Sequence, residues 1–471
     1  MRHYIRINPP LRFHRFCLIP LLSLLSTTVL ADDTPHGKII AGFGSSVCDG
    51  YGDHLKSGGY IGRLETLLAD QGWQVVDVSR GGDNTILIQE RWEATASPPS
   101  KPVDPGRYLL PHKPKYVLIG LSLGNEGIKT NDANRRAEVL DQFRNGMLGI
   151  IERCRDEGIR PVVVNCYAST AFEPEEYDAT KRMNVLINGW DVPSVNMLGT
   201  IDDGHGRWAS GFLHDDWHPS GGGYEEMFLA IVPTLFDAME AGKPIPVFSE
   251  QSGYAHVMSA DAPALRFEPE HTVHAFSQAF WFRCAGDGKL ASIAGHTGRL
   301  QITNEEFGAT SRVVSSNQPF SSTISIDHGS LVYTGADGQI IRSKALVNDG
   351  QWHLVVLSHR AAKGQTLMFR DGHQVGIISE RLIPETFGLG GSAEADLRDW
   401  LMYRSSLNDY DVAALQERKM IQSSLEIYAP LRDELFKLGE VVENRAQSLS
   451  QAQVVSDTIR THQTEMVPTH P

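Results

Sequence analysis

The chain is poor in cysteine and in positive charge, and each shortage excludes a class of function. Its 471 residues include five cysteines and no Cys-x-x-Cys pair. A disulfide-rich scaffold and a zinc site built on cysteines are therefore not expected. Acidic residues outnumber basic ones by 57 to 43, which gives a formal net charge of −14. This charge argues against a nucleic-acid partner, because phosphate contacts need a basic surface.

Long apolar runs are also missing beyond the N-terminal segment, so no later stretch is expected to cross a membrane. The one apolar run covers residues 16–30, is interrupted by Pro20 and leads to the small residue Ala31. Four arginines precede or open it: Arg2, Arg6, Arg12 and Arg15. This pattern predicts a cleavable secretory signal peptide over residues 1–31, with an uncleaved anchor as the alternative. We expect a secreted or periplasmic protein without stable membrane insertion.

The cysteines outside the signal segment are widely separated in the sequence. They are Cys48, Cys154, Cys166 and Cys284. In an oxidising compartment one bridge within the first domain is conceivable, but we expect buried free thiols.

Residues 36–242 alternate between predicted strands and predicted helices. The strands are expected at 38–43, 73–78, 116–121, 160–166 and 192–197, and the last helix at about 224–240. Such alternation predicts a parallel sheet with helices on both faces. Active sites in such sheets lie beyond the carboxyl ends of the strands. Ser46, Gly81 and Asn125 each follow a predicted strand end.

Two parts of residues 36–242 contain the residue types of an acyl-transfer site. The first predicted strand breaks into Gly44-Ser45-Ser46, and much further along stands the run from Asp215 to His218. A serine hydroxyl becomes a useful nucleophile when a histidine accepts its proton. An aspartate three residues before that histidine is suited to orient the ring and to stabilise its charged form.

Four segments, at residues 44–50, 76–85, 117–126 and 215–219, together resemble the motifs of the SGNH (GDSL-type) hydrolases, a class of esterases and lipases. The resemblance covers residues 36–242 and implies a flavodoxin-like three-layer α/β/α domain that needs no cofactor and no metal. It implies that Ser46, Asp215 and His218 are catalytic. It also implies an oxyanion hole formed by the Ser46 N–H, the Gly81 N–H and the Asn125 amide, with Gly82 competing for the role of Gly81.

The chain departs from the family motifs at several places. Ser45 replaces the usual Asp of Gly-Asp-Ser, and Ser79 stands where Asn is usual. The family's third motif reads Gly-x-Asn-Asp. In this chain Gly124 directly precedes Asn125, and Glu126 replaces the Asp. The loss of the carboxylate at Ser45 leaves the effect on catalytic strength open.

Other polar residues near the last motif are candidate substrate contacts or metal ligands. His214 and Asp216 are interpreted as bystanders or substrate contacts. Asp202, Asp203 and His205 also form a polar cluster, but no third metal ligand accompanies their Asp-x-His spacing, so no metal is expected.

The remaining chain is predicted to form an antiparallel β-sandwich (jelly roll) after a linker. The linker is placed at 243–263 and the sandwich at 264–422, where short strands alternate with glycine and Asp/Asn turns. Segments 348–354, 369–376 and 399–403 resemble the laminin-G-like (concanavalin A-like) family. That resemblance implies either a glycan or protein ligand or a scaffold without a ligand. A C-terminal helix built on Leu431, Leu435, Leu438 and Val442, followed by a disordered tail, is expected over 423–471.

These features predict a multi-domain α/β plus β protein that acts as a secreted serine esterase. The expected substrate is an acylated small molecule or polysaccharide, with acetyl esters of carbohydrate favoured. The alternatives are a lipase or phospholipase of the same family and a non-catalytic glycan-binding protein whose hydrolase domain has lapsed.

Overall fold

A parallel sheet of five strands forms the centre of the N-terminal half of the molecule. The computed structural model describes residues 37–462 except 96–97, 251–252, 306–307 and 433–435. The strands are β1 (Ile39–Gly44), β2 (Gln74–Asp77), β3 (Tyr116–Gly120), β4 (Arg160–Val164) and β5 (Ser194–Val195). Their order in the sheet is β2-β1-β3-β4-β5. All four pairings are parallel, as strand–helix alternation predicted.

Helices cover both faces of this sheet. They are α1 (Gly59–Leu68), α2 (Leu123–Glu126), α3 (Ala133–Asp156), α4 (Pro174–Asn188), α5 (Leu198–Ile201), α6 (Gly221–Leu229) and α7 (Leu235–Glu240). Alternate residues of each strand enter opposite cores, as the two-residue period of a strand requires. Ile40 and Leu118 pack on the side of α1 and α6, whereas Ala41 and Val117 pack on the side of α3 and α4. The predicted flavodoxin-like three-layer arrangement is thereby confirmed.

The helix expected at 224–240 is divided in two. Helix α6 ends at Leu229 and α7 begins at Leu235. Pro233 lies between them, and its missing N–H and fixed backbone oppose a continuous helix.

Two eight-stranded antiparallel sheets form a β-sandwich in the C-terminal half, in agreement with the predicted class. Its elements are β6 (Tyr254–Val257), β7 (Leu265–Phe267), β8 (Phe276–Cys284), β9 (Gly288–Glu305), β10 (Gly308–Asp327), β11 (Ser330–Thr334), β12 (Ile340–Leu346), β13 (His353–Arg360), β14 (Gln365–Arg370), β15 (His373–Ser379), β16 (Leu382–Leu389), β17 (Ala395–Tyr403), α8 (Asp409–Gln416), β18 (Leu425–Ala429), β19 (Val441–Val442), β20 (Ala452–Val454) and β21 (Ile459–His462). One sheet has the order β12-β11-β10-β9-β16-β7-β20-β19. The other has the order β15-β14-β13-β8-β17-β6-β21, with β18 on β17.

The sandwich extends past both of its predicted boundaries. Strand β6 lies inside the predicted linker 243–263 and pairs with β17 and β21. The predicted C-terminal helix is wrong, because the described part of 423–462 contributes strands β18 to β21. Leu431 follows Pro430 with a left-handed φ of 61°, and the side chain of Leu438 is 66% exposed. The leucine spacing therefore does not mark a helix face. Leu435 and the tail from residue 463 lie outside the described residues.

The two halves share a buried polar interface. The Asn188 side-chain oxygen accepts the backbone N–H groups of Gln422 at 2.8 Å and Ser423 at 3.0 Å. Glu226 of α6 pairs with His274 at 2.8 Å, and both side chains are buried. Buried polar groups matched to partners on the other half fix one relative placement of the two. The described residues accordingly belong to one compact unit.

The four cysteines within the described residues are free and buried. Burial raises the pKa of Cys48, Cys154 and Cys166 to about 12 and that of Cys284 to about 11. These thiols therefore stay protonated at neutral pH. None of the helices in the described residues combines the length and apolar character needed to cross a bilayer. The predicted signal peptide lies outside the described residues.

Candidate active site

Ser46 lies just past the end of β1, at the carboxyl edge of the parallel sheet. The strand ends at Gly44, where a Cβ atom would lie 2.2 Å from the Gly120 carbonyl oxygen of β3, so only glycine fits. The chain then turns, and the Ser45 N–H donates to the same Gly120 oxygen at 3.1 Å. The Ser46 carbonyl accepts the Tyr51 N–H at 3.0 Å, which holds the turn. The serine side chain is thereby directed into a cavity above the sheet.

The loop that follows α5 brings Asp215 and His218 to this serine. The His218 Nε2 atom lies 2.9 Å from Ser46 Oγ. On the other side of the ring, Nδ1 lies 2.8 Å from Asp215 Oδ1 and 2.9 Å from Oδ2. Asp215 Oδ1 also accepts the backbone N–H groups of Trp217 and His218, which folds the loop back on itself. The three residues therefore form one hydrogen-bonded chain although 169 positions separate Ser46 from Asp215.

Asp215 is held in its charged form. Partial burial alone would raise the pKa of its carboxyl group, but the hydrogen bonds from the His218 ring and the Trp217 backbone outweigh it. The net result is a pKa below the ordinary aspartate value. At neutral pH a carboxylate thus faces Nδ1, which favours the tautomer that leaves Nε2 free to accept a proton.

The residues predicted for the oxyanion hole line the same cavity. A Cβ atom built on Gly81 would lie 3.7 Å from Ser46 Cβ, so the glycine backbone closely approaches the serine. The N–H groups of Ser46, Gly81 and Gly82 donate to no acceptor in the described part of the chain. Asn125 presents its amide beside them while donating to the Asp83 carbonyl at 3.0 Å. Gly81 and Gly82 are both placed for the second donor position.

The cavity in front of Ser46 has a volume of about 480 Å³. Its walls are aromatic on the open side, where Tyr51 is 55% and Trp217 is 39% exposed. Phe172 meets Trp217 edge to face with ring centroids 6.2 Å apart. The Tyr51 ring lies 4.6 Å from the His218 ring. A molecule bound in front of Ser46 would therefore contact the aromatic rings of Tyr51, Phe172 and Trp217.

Comparison with known families agrees with this geometry. The model of the GDSL-like Lipase/Acylhydrolase family matches residues 43–226. These residues form a GDSL-like domain. The predicted resemblance is thereby confirmed, and the chain contains an ester-hydrolysing serine hydrolase. No curated protein matches the chain significantly.

Several solved structures are similar to parts of the molecule. A GDSL-like lipase from Bacteroides thetaiotaomicron is 13% identical with a TM-score of 0.31, over 44% of this chain and 89% of its own. A catalytic mutant of an acetylxylan esterase from Geobacillus stearothermophilus is 14% identical with a TM-score of 0.29, over 41% and 91%. Domains LG4-5 of the mouse laminin alpha1 chain are 14% identical with a TM-score of 0.25, over 42% and 54%.

A buried arginine that the sequence did not reveal supports the GDSL-like domain beneath its active site. Arg91 is 0% exposed and donates through Nε to Asp83 Oδ2 at 2.6 Å. Its other nitrogens reach the carbonyl oxygens of Val78 and Gly44, at the ends of β2 and β1. Burial lowers the pKa of Arg91, and the Asp83 charge opposes that shift. One cation thus joins the strand ends from which the Ser46 and Gly81 turns begin.

Glu126, which departs from the family motif, holds the neighbouring turn. Its carboxylate accepts the Thr85 N–H at 3.0 Å, the Thr85 hydroxyl at 2.5 Å and the Gln142 amide at 2.7 Å. The longer glutamate thereby fixes the segment that contains Asp83, whose carbonyl binds Asn125. The substitution was visible in the sequence, but its partners were not.

The other polar residues near the last motif lie beside the site rather than in the hydrogen-bonded chain. His214 Nδ1 lies 2.9 Å from His54 Nε2. The Asp216 carbonyl accepts the Thr170 N–H at 3.0 Å, so its backbone anchors the loop. Asp202 accepts the Tyr177 hydroxyl at 2.5 Å. Within the described residues, no group of three or more His, Cys, Asp or Glu is placed to hold a metal ion.

Proposed function

We propose that this protein is a secreted or periplasmic serine esterase that removes acyl groups, most of all acetyl groups, from carbohydrate. The observation that carries the proposal is the hydrogen-bonded chain from Ser46 through His218 to Asp215. Nucleophile, base and orienting carboxylate meet there in the order that acyl transfer requires. Export rests on the sequence pattern of residues 1–31.

The first half of the reaction acylates Ser46. His218 Nε2 accepts the hydroxyl proton while Oγ attacks the ester carbonyl, and Asp215 stabilises the imidazolium that forms. The carbonyl oxygen becomes an oxyanion beside the N–H groups of Ser46 and Gly81 and the Asn125 amide. One such donor contributes about 3 kcal/mol to the transition state. The intermediate then collapses, and His218 returns the proton to the leaving alcohol.

The second half frees the enzyme. Water enters where the alcohol left and gives its proton to His218 Nε2 as its oxygen attacks the acyl carbon. The same donors stabilise the second oxyanion. When it collapses, Ser46 Oγ leaves, takes the proton from His218 and releases the carboxylic acid.

The aromatic rim supports a carbohydrate alcohol. Tyr51 and Trp217 present partly exposed rings in the lining of the cavity, and the Tyr51 ring lies against His218. Flat aromatic faces with one wet side suit ligands that have both apolar C–H surfaces and hydroxyl groups, as sugar rings do. An acetyl group would fill only a small part of the cavity of about 480 Å³, which leaves room for the sugar.

The same cavity supports one rival within the family. Most of its lining is apolar or glycine, including Val47, Ala168 and Phe172. A lipase or phospholipase acting on a longer acyl chain would use this surface for the chain rather than for a sugar. Comparison of acetyl, butyryl and octanoyl esters of nitrophenol separates the two by kcat/KM.

The catalytic assignment is tested with Ser46→Ala. Purified protein should hydrolyse nitrophenyl acetate, and the variant should lose kcat by up to roughly 10⁶-fold because the nucleophile is gone. Ser57→Ala, at an exposed serine, serves as the matched control and should keep full activity. A fluorophosphonate probe should label the wild type at residue 46 and leave Ser46→Ala unlabelled.

Two results would contradict the proposal in different ways. Activity retained by Ser46→Ala would show that another group is the nucleophile. A wild type that is inactive on every acyl length and unlabelled by the probe would favour a non-catalytic binding protein. Release of acetate from a panel of acetylated glycans then identifies the alcohol. Glycan binding by the intact Ser46→Ala protein tests whether the sandwich also has a glycan ligand.

A further inference from the structure

Two strands of the sandwich reach beyond their sheet as a separate hairpin. Within β9 and β10, residues 298–305 pair with 308–315, whereas the pairing of β16 with β9 stops at Thr297. A register irregularity between Ser315 and Pro319 marks the point where this hairpin leaves the sheet. We call residues 298–305 and 308–315 the β-arm. A two-stranded hairpin is barely stable alone in water, so the β-arm needs a surface to pack on.

That surface is the base of the loop that contains Asp215 and His218. We use the term base for residues 211–213 and 219–222, where the two sides of the loop meet. The Ser311 N–H donates to the Gly211 carbonyl at 2.7 Å, on the side where the loop begins. Where it ends, the Thr310 hydroxyl lies 2.7 Å from the Ser220 hydroxyl and accepts the Gly222 N–H at 2.9 Å. The β-arm thus binds both ends of the loop.

The contact is closely fitted. A Cβ atom at Gly222 would lie 1.8 Å from the Ser311 carbonyl oxygen, and one at Gly211 would lie 2.1 Å from Ser311 Oγ. Thr310 and Ser220 are both 0% exposed. Further along α6, Arg312 makes a two-point ion pair with Glu225 at 2.6 and 2.8 Å. Such close packing leaves the two surfaces little freedom to slide past each other.

The base of the loop determines where its tip lies. The Ser220 N–H donates to the Phe212 carbonyl at 2.9 Å, and Leu213 and Pro219 form a β-bridge, so the two sides of the loop are joined. The distance between His218 Nε2 and Ser46 Oγ at the tip is 2.9 Å. A shift of the base by a fraction of an ångström would be passed through this short, closed loop to that hydrogen bond.

We propose that Thr310 is a positioning residue of the esterase and that the β-arm of the sandwich holds the catalytic loop in its active geometry. This inference rests on the proposed roles of Ser46 and His218. It makes the sandwich part of the catalytic apparatus, whether or not the sandwich also binds a ligand.

The test replaces the Thr310 hydroxyl by a methyl group. Thr310→Val should lower kcat for nitrophenyl acetate by about tenfold, because the buried Gly222 N–H loses its acceptor and the buried Ser220 hydroxyl keeps only its 3.5 Å contact with the Gly211 carbonyl. KM should stay unchanged, since Thr310 does not line the cavity. Hydrogen exchange of the backbone of 211–222 should become faster. Thr310→Ser retains the hydroxyl and should restore the wild-type kcat and the wild-type hydrogen exchange of 211–222.

Thr303→Val is the matched control. Thr303 lies opposite Thr310 across the β-arm and is half-buried, so the same chemical change is made on the same hairpin. This variant should keep wild-type kcat and wild-type exchange. An equal effect from Thr303→Val would mean that any disturbance of the hairpin suffices, and would overturn the role of Thr310.

The outcomes separate this inference from the proposed function. A wild type without esterase activity removes the proposed function and the catalytic role of the contact together. An active wild type whose Thr310→Val variant keeps both kcat and exchange overturns the inference alone. Should Thr310→Val fail to fold, Arg312→Gln removes the more exposed part of the contact. It should lower kcat by about twofold with faster exchange at 211–222, and unchanged values would again overturn the inference.

Discussion

Arg91 offers the sharpest test of what holds the active-site strands together. Arg91→Met keeps most of the apolar stem and removes the charged head. Asp83 would keep its ion pair with Arg80, whose Nε lies 2.7 Å from Asp83 Oδ1. It would nevertheless lose its fully buried partner, and the carbonyls of Val78 and Gly44 would lose a donor.

The size of the effect follows from the burial of the pair. Removing one partner of a buried ion pair costs about 3–5 kcal/mol, because the remaining charge loses its compensation. Unfolding entropy is about 2.1 cal/mol/K per residue. Over the unit of residues 36–471, a loss of about 4 kcal/mol therefore lowers the melting midpoint by about 4 °C. We expect kcat to fall as well, since the turns containing Ser46 and Gly81 begin at the affected carbonyls.

The assay is a thermal melt followed by fluorescence, with kcat measured on the same samples at 25 °C. Arg153→Met is the matched control, because the Arg153 guanidinium lies over the Trp92 ring at 4.3 Å. Loss of such a cation–π contact costs about 0.5–1 kcal/mol, which corresponds to about 1 °C here. If Arg91→Met lowers the midpoint no more than Arg153→Met does, the buried guanidinium is not a principal support of the strand ends.

Two further predictions concern the oxyanion hole and the sandwich core. Asn125→Ala should lower kcat by about 10²–10³-fold with little change in KM, as measured by steady-state kinetics on nitrophenyl acetate; an unchanged kcat would exclude its amide as an oxyanion donor. Burial lowers the pKa of His359 to about 3, and the Leu382 N–H donates to its Nε2, so the folded ring is neutral. The unfolded chain binds that proton below about pH 6.5. The contribution of His359 to unfolding free energy is thus complete above about pH 6.5 and falls by about 1.4 kcal/mol per pH unit from there towards pH 3. His359→Gln should remove this part of the acid dependence in urea titrations at successive pH values, and an unaltered slope would contradict the assignment.

The site residues that could be predicted from the sequence are those that a short stretch of sequence reveals. Ser46 was expected at a strand end because an apolar run breaks at Gly44, and Asp215 was expected beside His218 because three residues separate them. The structure brings these side chains together. Short motifs of this kind need no knowledge of distant contacts.

The supports of the site depend on distant contacts and were therefore not predicted. Thr310 is 90 positions from Ser220, and no pattern in the sequence connects the two. Arg91 looks like an ordinary surface cation until the fold encloses it. The same limit explains the helix wrongly expected near Leu431: its leucine spacing suits a helix, but the segment lies between β18 and β19, which pair with β17 and β20.

The buried thiols have a practical consequence for spectroscopy. In the described part of the chain every native cysteine is enclosed and protonated at neutral pH. Maleimide dyes and nitroxide spin labels react with accessible thiolates, so they should leave folded protein of residues 36–471 unmodified. A single cysteine introduced at an exposed position would then be the one place where a reporter attaches. Motions of the molecule could be followed without first deleting the native residues.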